Sequence, residues 1–428
     1  MKDRPTPRVY SPDRSQVANP TTIDELIPPD HKARLVWTLI EDLDLTPLYQ
    51  DIKSVEGHAG RPAIDPCILV ALWLYATDEH IASAHELARR CTDCDPYKWI
   101  CGGVSVSYHA LSDFRVEHLP WLREQVVTNV AALRSEGLAS LDTLGQDGMR
   151  VRANAGSDSF QKAEKLSQLL EEAQQQWEQL QGEFEQTQPP SPRKRAAQQR
   201  AARERVERIK EAQKEVEQVA KQREKRKKGD GKTARASTTD PESRRMKMGD
   251  GGIRPAYNVE FSTDLNSLVI VGADVVNVGS DAGQMEPMVQ HVEADQAPLP
   301  EGGEYYVDGG FASNRDLASV GERGVTVFAP VKAVEKKQQR GEDPYAAKPG
   351  DTPWVAAWRQ RMGTAEAQEK YKQRSKTEWP NATCRNRGLQ QFLVRGLEKV
   401  KPVVLWYVLV HNLFRMVALR TERAIVTT

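Results

Sequence analysis

Three carboxylates placed in a fixed order on predicted elements constrain the fold of this chain more than any other feature. Asp147 lies in GQDGMRV, whose apolar and β-compatible residues predict a strand. AYNVEFS and SLVIVGADVV predict two more strands, joined by a turn at Asp264-Leu265-Asn266. Residues 281–293 predict a helix. Glu304–Val307 predicts a short strand that closes on Asp308, followed by a helix capped at Ser313. Val325–Val331 predicts a fifth strand, and Glu378 falls on a late helix. This order is the layout of an RNase H-like α/β domain, in which Asp147 and Asp308 end adjacent central strands and Glu378 reaches them from a packed helix. One such aspartate alone is as well explained by a turn or a cap; only the ordered triple is informative. Hard carboxylates gathered in one place suit two Mg²⁺ (or Mn²⁺) ions about 4 Å apart, which stabilise the attacking and leaving oxygens of a phosphate.

The stretch around the last acid, YKQRSKTEWPNATCRNR, sharpens this reading. Tyr371, Arg374 and Glu378 are spaced to share one helix face, and Arg385 follows. A carboxylate with a tyrosine and two arginines suits a site that holds a cation and a phosphate together. Pro380, two residues after Glu378, requires the helix to kink or restart there.

The chain has 428 residues, so two or three structural units are expected. Residues 1–20, rich in Pro, Ser and Arg, predict a disordered arm, and residues 21–137 an all-helical N-terminal domain. Residues 138–428 form the α/β domain, interrupted by an inserted helical hairpin with a basic segment at 158–236 and by a polar insertion at 332–365. In the hairpin, Leu166, Leu170, Ala173, Trp177, Leu180 and Phe184 repeat at spacings of 4 and 3, a heptad seam ended by Pro189, Pro190 and Pro192. The seam either contacts a second copy in a homodimer or merely spans the insertion.

Net charge is zero, so affinity for a polyanion must come from local patches. The strongest lies at 221–235, with eight Lys or Arg against two acids, including Lys225, Arg226, Lys227 and Lys228. A solvated linker explains the run equally well. Five cysteines in a chain whose N-terminus does not read as a signal peptide predict reduced thiols. Cys91, Cys94 and Cys101, with His85 upstream, have partial zinc spacing but no second paired motif. No apolar run is read as a membrane span, and a cytoplasmic protein is expected.

With these motifs in place, the chain resembles the DDE transposases of bacterial insertion sequences, above all the insertion-sequence 1182 family. The resemblance covers nearly the whole chain. TTIDELIPPDHKARLVWTLIEDLDLTPLY and GRPAIDP resemble that family's N-terminal helical module, GQDGMRVRANAG its first acidic motif and YYVDGGFAS its second. MKMGDGGIRPAYNVEFSTD resembles the stretch before its second strand. Tyr371, Arg374, Glu378 and Arg385 match its Tyr-x2-Arg-x3-Glu-x6-Lys signature, with arginine in the last place. The segment VSYHALSDFR departs from the family's usual run before its Phe-Arg. The resemblance implies metal-dependent cleavage of DNA at the element's terminal inverted repeats and transfer of the freed 3′-hydroxyl to target DNA. It implies that Asp147, Asp308 and Glu378 are catalytic and hold the metals, and that Tyr371, Arg374 and Arg385 contact phosphates. It also suggests that Trp354 or Trp358 stacks on a base, against the alternative that both anchor a loop. A non-catalytic DNA-binding descendant, or a nuclease of the same fold that only hydrolyses, fits the same residues.

Overall fold

The computed structural model describes residues 6, 8–18, 21–186 and 191–427. Its N-terminal part is helical. Helix α1 (Lys32–Glu41) leads to α2 (Pro66–Asp78), α3 (Ala84–Asp93), α4 (Asp95–Cys101), α5 (Tyr108–Glu117) and α6 (Leu119–Ser135). The start of α2 follows from its sequence: Pro66 occupies the first turn, where no N–H is missed, and Asp65 accepts from the Cys67 N–H at 3.0 Å. From Ile68 to Ala76 its residues are buried on all sides, as befits the centre of a bundle.

The expected disorder of residues 1–20 does not hold for 8–18. Val9–Tyr10 pairs in parallel with Ala63–Ile64. The Arg14 guanidinium lies over Trp37 and Trp99, 3.7 and 4.2 Å from the ring centroids, and donates to the Trp99 carbonyl at 3.1 Å. Cation–π contacts and two aromatic faces thus give a polar, proline-rich arm a docking site that composition does not reveal.

The second part is built on a six-stranded mixed sheet. Its strands are β1 (Thr143–Arg152), β2 (Arg244–Lys247), β3 (Ile253–Asp264), β4 (Ile270–Val276), β5 (Glu304–Tyr306) and β6 (Thr326–Phe328). The order is β4-β3-β1-β5-β6, with β2 paired to the start of β3. β3 runs antiparallel to both of its neighbours, β1 and β4, whereas β5 runs parallel to both β1 and β6. The parallel pairs require crossovers, which the intervening helices supply.

Between β1 and β2, helices α7 (Ala163–Gln186) and α8 (Pro192–Arg226) form an antiparallel pair. Arg205 bonds Gln176 at 2.8 Å and Gln213 bonds Ser167 at 3.3 Å across it. Leu166 and Ala173 of the seam are buried with Val206, Ile209, Ala212, Val216 and Val219 in a small core separate from the main one. Trp177 and Leu180 are only half-buried, and the Phe184 side chain, Pro189 and Pro190 lie outside the described residues. At 35 residues α8 is roughly 50 Å long. The pair is fastened at its base, where Phe160–Gln161 pairs with Ala236–Ser237 and Arg244 forms a buried ion pair with Glu215.

Helices α9 (Met285–Asp295) and α10 (Asn314–Gly321) follow β4 and β5. The region expected to be a polar insertion, 332–365, contains helix α11 (Pro353–Met362), capped by Thr352 and pinned by a buried Asp351–Arg359 pair at 2.7 Å. Its Trp358 is buried and donates to the Ala329 carbonyl at 3.0 Å. Periodicity is weak there because α11 buries one narrow stripe against β6. Helix α12 (Ala365–Tyr371), a 3₁₀ turn (Lys372–Thr377) and α13 (Glu378–Asn386) make a continuous run. Pro380 falls in the first turn of α13, where its missing N–H costs nothing, so the helix restarts there.

The last helix, α14 (Leu397–Thr427), is long and apolar enough to cross a membrane by length and composition. Within this protein Val404, Trp406, Val408, Leu409 and Val410 are buried in the shared core, so its hydropathy reflects a central packing position. It joins the two parts: Trp406 donates to the Arg115 carbonyl at 3.1 Å, and Asn412 exchanges bonds with Ile270 at 3.0 and 2.8 Å.

Candidate active site

The parallel pairing of β1 and β5 sets two of the acids side by side. Tyr306 is in register with Gly145, and Asp308 and Asp147 each follow that pair by two residues. The 3₁₀ turn before α13 crosses β1 because Gly145 leaves room for it; a Cβ there would collide with the Thr377 methyl group. This close approach brings Arg374 to the acids. Its Nη2 donates to Asp147 Oδ1 at 3.2 Å and its Nη1 to Glu378 Oε1 at 3.0 Å, so one guanidinium bridges two of the three carboxylates. Asp147 Oδ1 also accepts from the Gly148 N–H at 3.0 Å, and its Oδ2 accepts from Asn381 Nδ2 at 3.0 Å. Burial raises the Asp147 pKa, and nearby Asp308 adds to the rise, while Arg374 opposes it. Asp308 accepts from the Gly310 N–H at 2.6 Å.

Tyr371 ends α12 half-buried beside this group. Burial first, and then the Asp308 and Asp147 carboxylates, hold its phenol pKa above the usual value, against the opposing Arg374 charge. Arg385 is exposed at the last turn of α13 and makes no ion pair with the acids among the described residues. Its neighbour Arg387 instead anchors the helix, bonding Asp78 of α2 at 2.9 Å. Lys225, Arg226, Lys227 and Lys228 are exposed at the base of the α7–α8 pair. The segment that carries them is folded: Glu224 accepts from the Gly229 and Gly231 N–H groups at 2.8 and 3.1 Å, and Arg223 bonds Thr233 at 2.6 Å.

A second polar layer lies beneath Asp147. Glu260 on β3 is fully buried; Gln146 donates to it at 3.3 Å, and Asn258 is also bonded to it. Asn258 donates to Asp281 at 3.0 Å, and Arg150 bonds both Asn258 (2.9 Å) and Asp281 (3.0 Å). Burial, then the Asp281 charge, push the Glu260 pKa up to about 8. Gly148 is required here, since a Cβ would come within 2.9 Å of Glu260 Oε1. Sequence reasoning missed Glu260, Asp281, Arg150 and Asn381. A glutamate in the middle of the apolar run AYNVEFS was the available signal for the first.

Among the described residues no three His, Cys, Asp or Glu side chains stand in ligating geometry. Glu378 is 65% exposed and is held to Asp147 only through Arg374. The donor set nevertheless suits a divalent cation. A positive group, the Arg374 guanidinium, already sits between two of the acids, and one oxygen beside Asp147, Asn381 Oδ1, is shielded from solvent without a partner. The cysteine group is arranged differently. Cys91 and Cys101 are buried free thiols, Cys94 accepts from Arg90 at 3.7 Å, and the His85 ring stacks on Tyr108 at 3.8 Å.

Asp147 within β1, Asp308 just after β5 and Glu378 at the start of α13 thus come from three elements of one α/β sheet domain. The comparisons with known families are more specific. A family described as "Transposase domain (DUF772)" matches residues 21–117, and one described as "Transposase DDE domain" matches residues 350–417. Together they support a DDE-type transposase, a DNA-processing enzyme. Neither the curated proteins nor the solved structures yielded a match to the chain. Glu378, Tyr371, Arg374, Asn381 and Arg385 lie inside the second matched region, whereas Asp147 and Asp308 lie between the two.

Proposed function

We propose that this protein is an insertion-sequence transposase of the 1182-type branch. It binds the terminal inverted repeats of its element, cleaves DNA at their ends with the help of divalent metal ions, and joins the freed 3′-hydroxyl to a target strand. The observation that carries this reading is the Arg374 fork, which ties Asp147 to the Glu378 helix across 227 residues of sequence. The strand order supports an RNase H-like catalytic domain, with a helical hairpin inserted at 158–236 and the all-helical unit before it.

Asp147, Asp308 and Glu378 would hold two Mg²⁺ or Mn²⁺ ions, which supply Lewis-acid stabilisation to the attacking and leaving oxygens. Arg374 then has a planar fork free for a phosphate, a geometry that lysine lacks. Tyr371, its phenol kept protonated by burial and the neighbouring carboxylates, is a donor to a phosphate oxygen. Arg385 and Lys225 to Lys228 are exposed cations suited to the DNA backbone. Half-buried Trp177 and Leu180 offer apolar surface for a homodimer on DNA.

The test is cleavage and joining of duplexes carrying the element's own ends, with and without EDTA. Wild type should give metal-dependent 3′-hydroxyl ends and joined products. Asp147→Ala, Asp308→Ala and Glu378→Ala should lose both while still shifting end DNA in a gel. Undiminished cleavage by Asp147→Ala sinks the proposal, and metal-dependent nicking without any joined product reduces the protein to a hydrolytic nuclease.

A further inference from the structure

Asn381 is the residue of α13 that touches Asp147 directly. It is three positions beyond Glu378, hence on the same helix face. Glu378 itself is largely exposed and reaches Asp147 only through Arg374. The Asn381 side chain, by contrast, is buried, at 7% exposure, with Nδ2 donating to Asp147 Oδ2 at 3.0 Å. Its other terminal atom, Oδ1, is shielded from solvent and has no donor. A buried amide oxygen without a partner carries an unrecovered desolvation cost, and such atoms in folded proteins call for an explanation.

We infer that Asn381 is a neutral oxygen donor to the divalent ion held by Asp147. The inference rests on the metal-binding role proposed above for that aspartate. Hard cations accept asparagine carbonyl oxygens alongside carboxylates. A neutral donor adds coordination without adding charge to a place that already gathers Asp147, Asp308 and Glu378. The terminal torsion of asparagine is soft and nearly two-fold, so a half-turn of the amide exchanges Nδ2 for Oδ1 while the helix stays in place. As described, the N–H₂ end holds the Asp147 carboxylate. With an ion present, the C=O end faces it. Arg374, the other group bridging to Asp147, makes the corresponding exchange from carboxylate to phosphate.

The measurement is Mn²⁺ binding to the full-length protein without DNA, by electron paramagnetic resonance titration, with thermal melting in parallel. Asp147→Ala should abolish the site. Asn381→Ala should weaken Mn²⁺ binding about tenfold, in the range typical for a lost partner at a metal site. Asn381→Asp separates a ligand from a mere tether. It places an anionic oxygen against Asp147, so the metal-free protein should melt lower than wild type, yet bind Mn²⁺ at least as tightly and recover its melting temperature when loaded. Asn381→Asp binding as weakly as Asn381→Ala would mean that the amide only holds Asp147 by its N–H, and would overturn the inference. Wild-type affinity in Asn381→Ala would overturn it equally, and Asn381→Asp carries the test alone if the alanine variant does not fold. Wild-type Mn²⁺ affinity in Asp147→Ala would instead remove the metal role of Asp147, and with it the basis for Asn381.

Discussion

Replacing Glu260 by glutamine tests the buried polar layer under Asp147. The carboxyl is fully buried, and its pKa is pushed from 4.5 to about 8 by burial and by Asp281. A carboxyl whose folded pKa lies above its unfolded value stabilises the protein only while protonated. Stability is therefore fully present below the unfolded pKa and is lost as pH rises toward the folded one. Two other buried groups titrate lower. Asp240, raised to about 6, has completed its loss by that pH. His411, depressed from 6.5 to about 4, affects stability only as pH falls below its unfolded value. The window from about pH 6.5 to 8 thus belongs mainly to Glu260, and each pH unit across it is worth about 1.4 kcal/mol. Wild type should lose about 2 kcal/mol of unfolding free energy across that window, read from urea midpoints at constant ionic strength. Glu260→Gln keeps the shape and the hydrogen bond from Gln146 but cannot ionise, so its urea midpoint should stay nearly constant. An equal slope in the two proteins would show that Glu260 is already ionised in the folded state and is not held protonated by this layer.

Two further outcomes follow from the described contacts. Changing Lys225, Arg226, Lys227 and Lys228 together to alanine should weaken binding to all DNA sequences alike and lower the salt slope of log K by about three to four units; an unchanged slope would leave the segment a folded connector only. Trp358→Ala should cost about 3–5 kcal/mol in urea unfolding, since it empties a core position and strips the Ala329 carbonyl of its donor. A DNA substrate with an abasic site should not restore its activity, and rescue by that substrate would return Trp358 to a stacking role.

The sheet and its two strand-borne acids were legible because strands separated by Gly- and Asp-rich turns keep their apolar pattern. Asp308 follows the end of β5 as expected, whereas Asp147, expected at a strand end, lies in the middle of β1, which runs on against β3 to Arg152. The spacing of Tyr371, Arg374 and Glu378 reads as one helix face, whereas the three fall at the end of α12, in the 3₁₀ turn and at the start of α13. Arg374 itself was expected on phosphate, and its position between two carboxylates depends on Gly145 admitting the 3₁₀ turn, a contact between residues more than 200 apart. Asn381 and Glu260 escaped for the same reason: each matters through what lies across from it, and local pattern carries no register between distant segments. Residues 8–18 read as disordered because composition counts prolines and charges but not the two indoles that receive Arg14. Trp358 lay in a segment whose overall polarity hid the narrow apolar stripe of α11.

On the proposed function, Asp147, Asp308 and Glu378 together hold the ions that act on DNA. Anomalous diffraction at the manganese edge, from crystals of the full chain bound to its end DNA and soaked in Mn²⁺, addresses it most directly. Peaks within about 2.0–2.4 Å of carboxylate oxygens of Asp147 and Asp308, with Glu378 turned in from Arg374 to the same ions, are the predicted result. Manganese bound at other residues, with these three carboxylates bare beside ordered DNA, would contradict it.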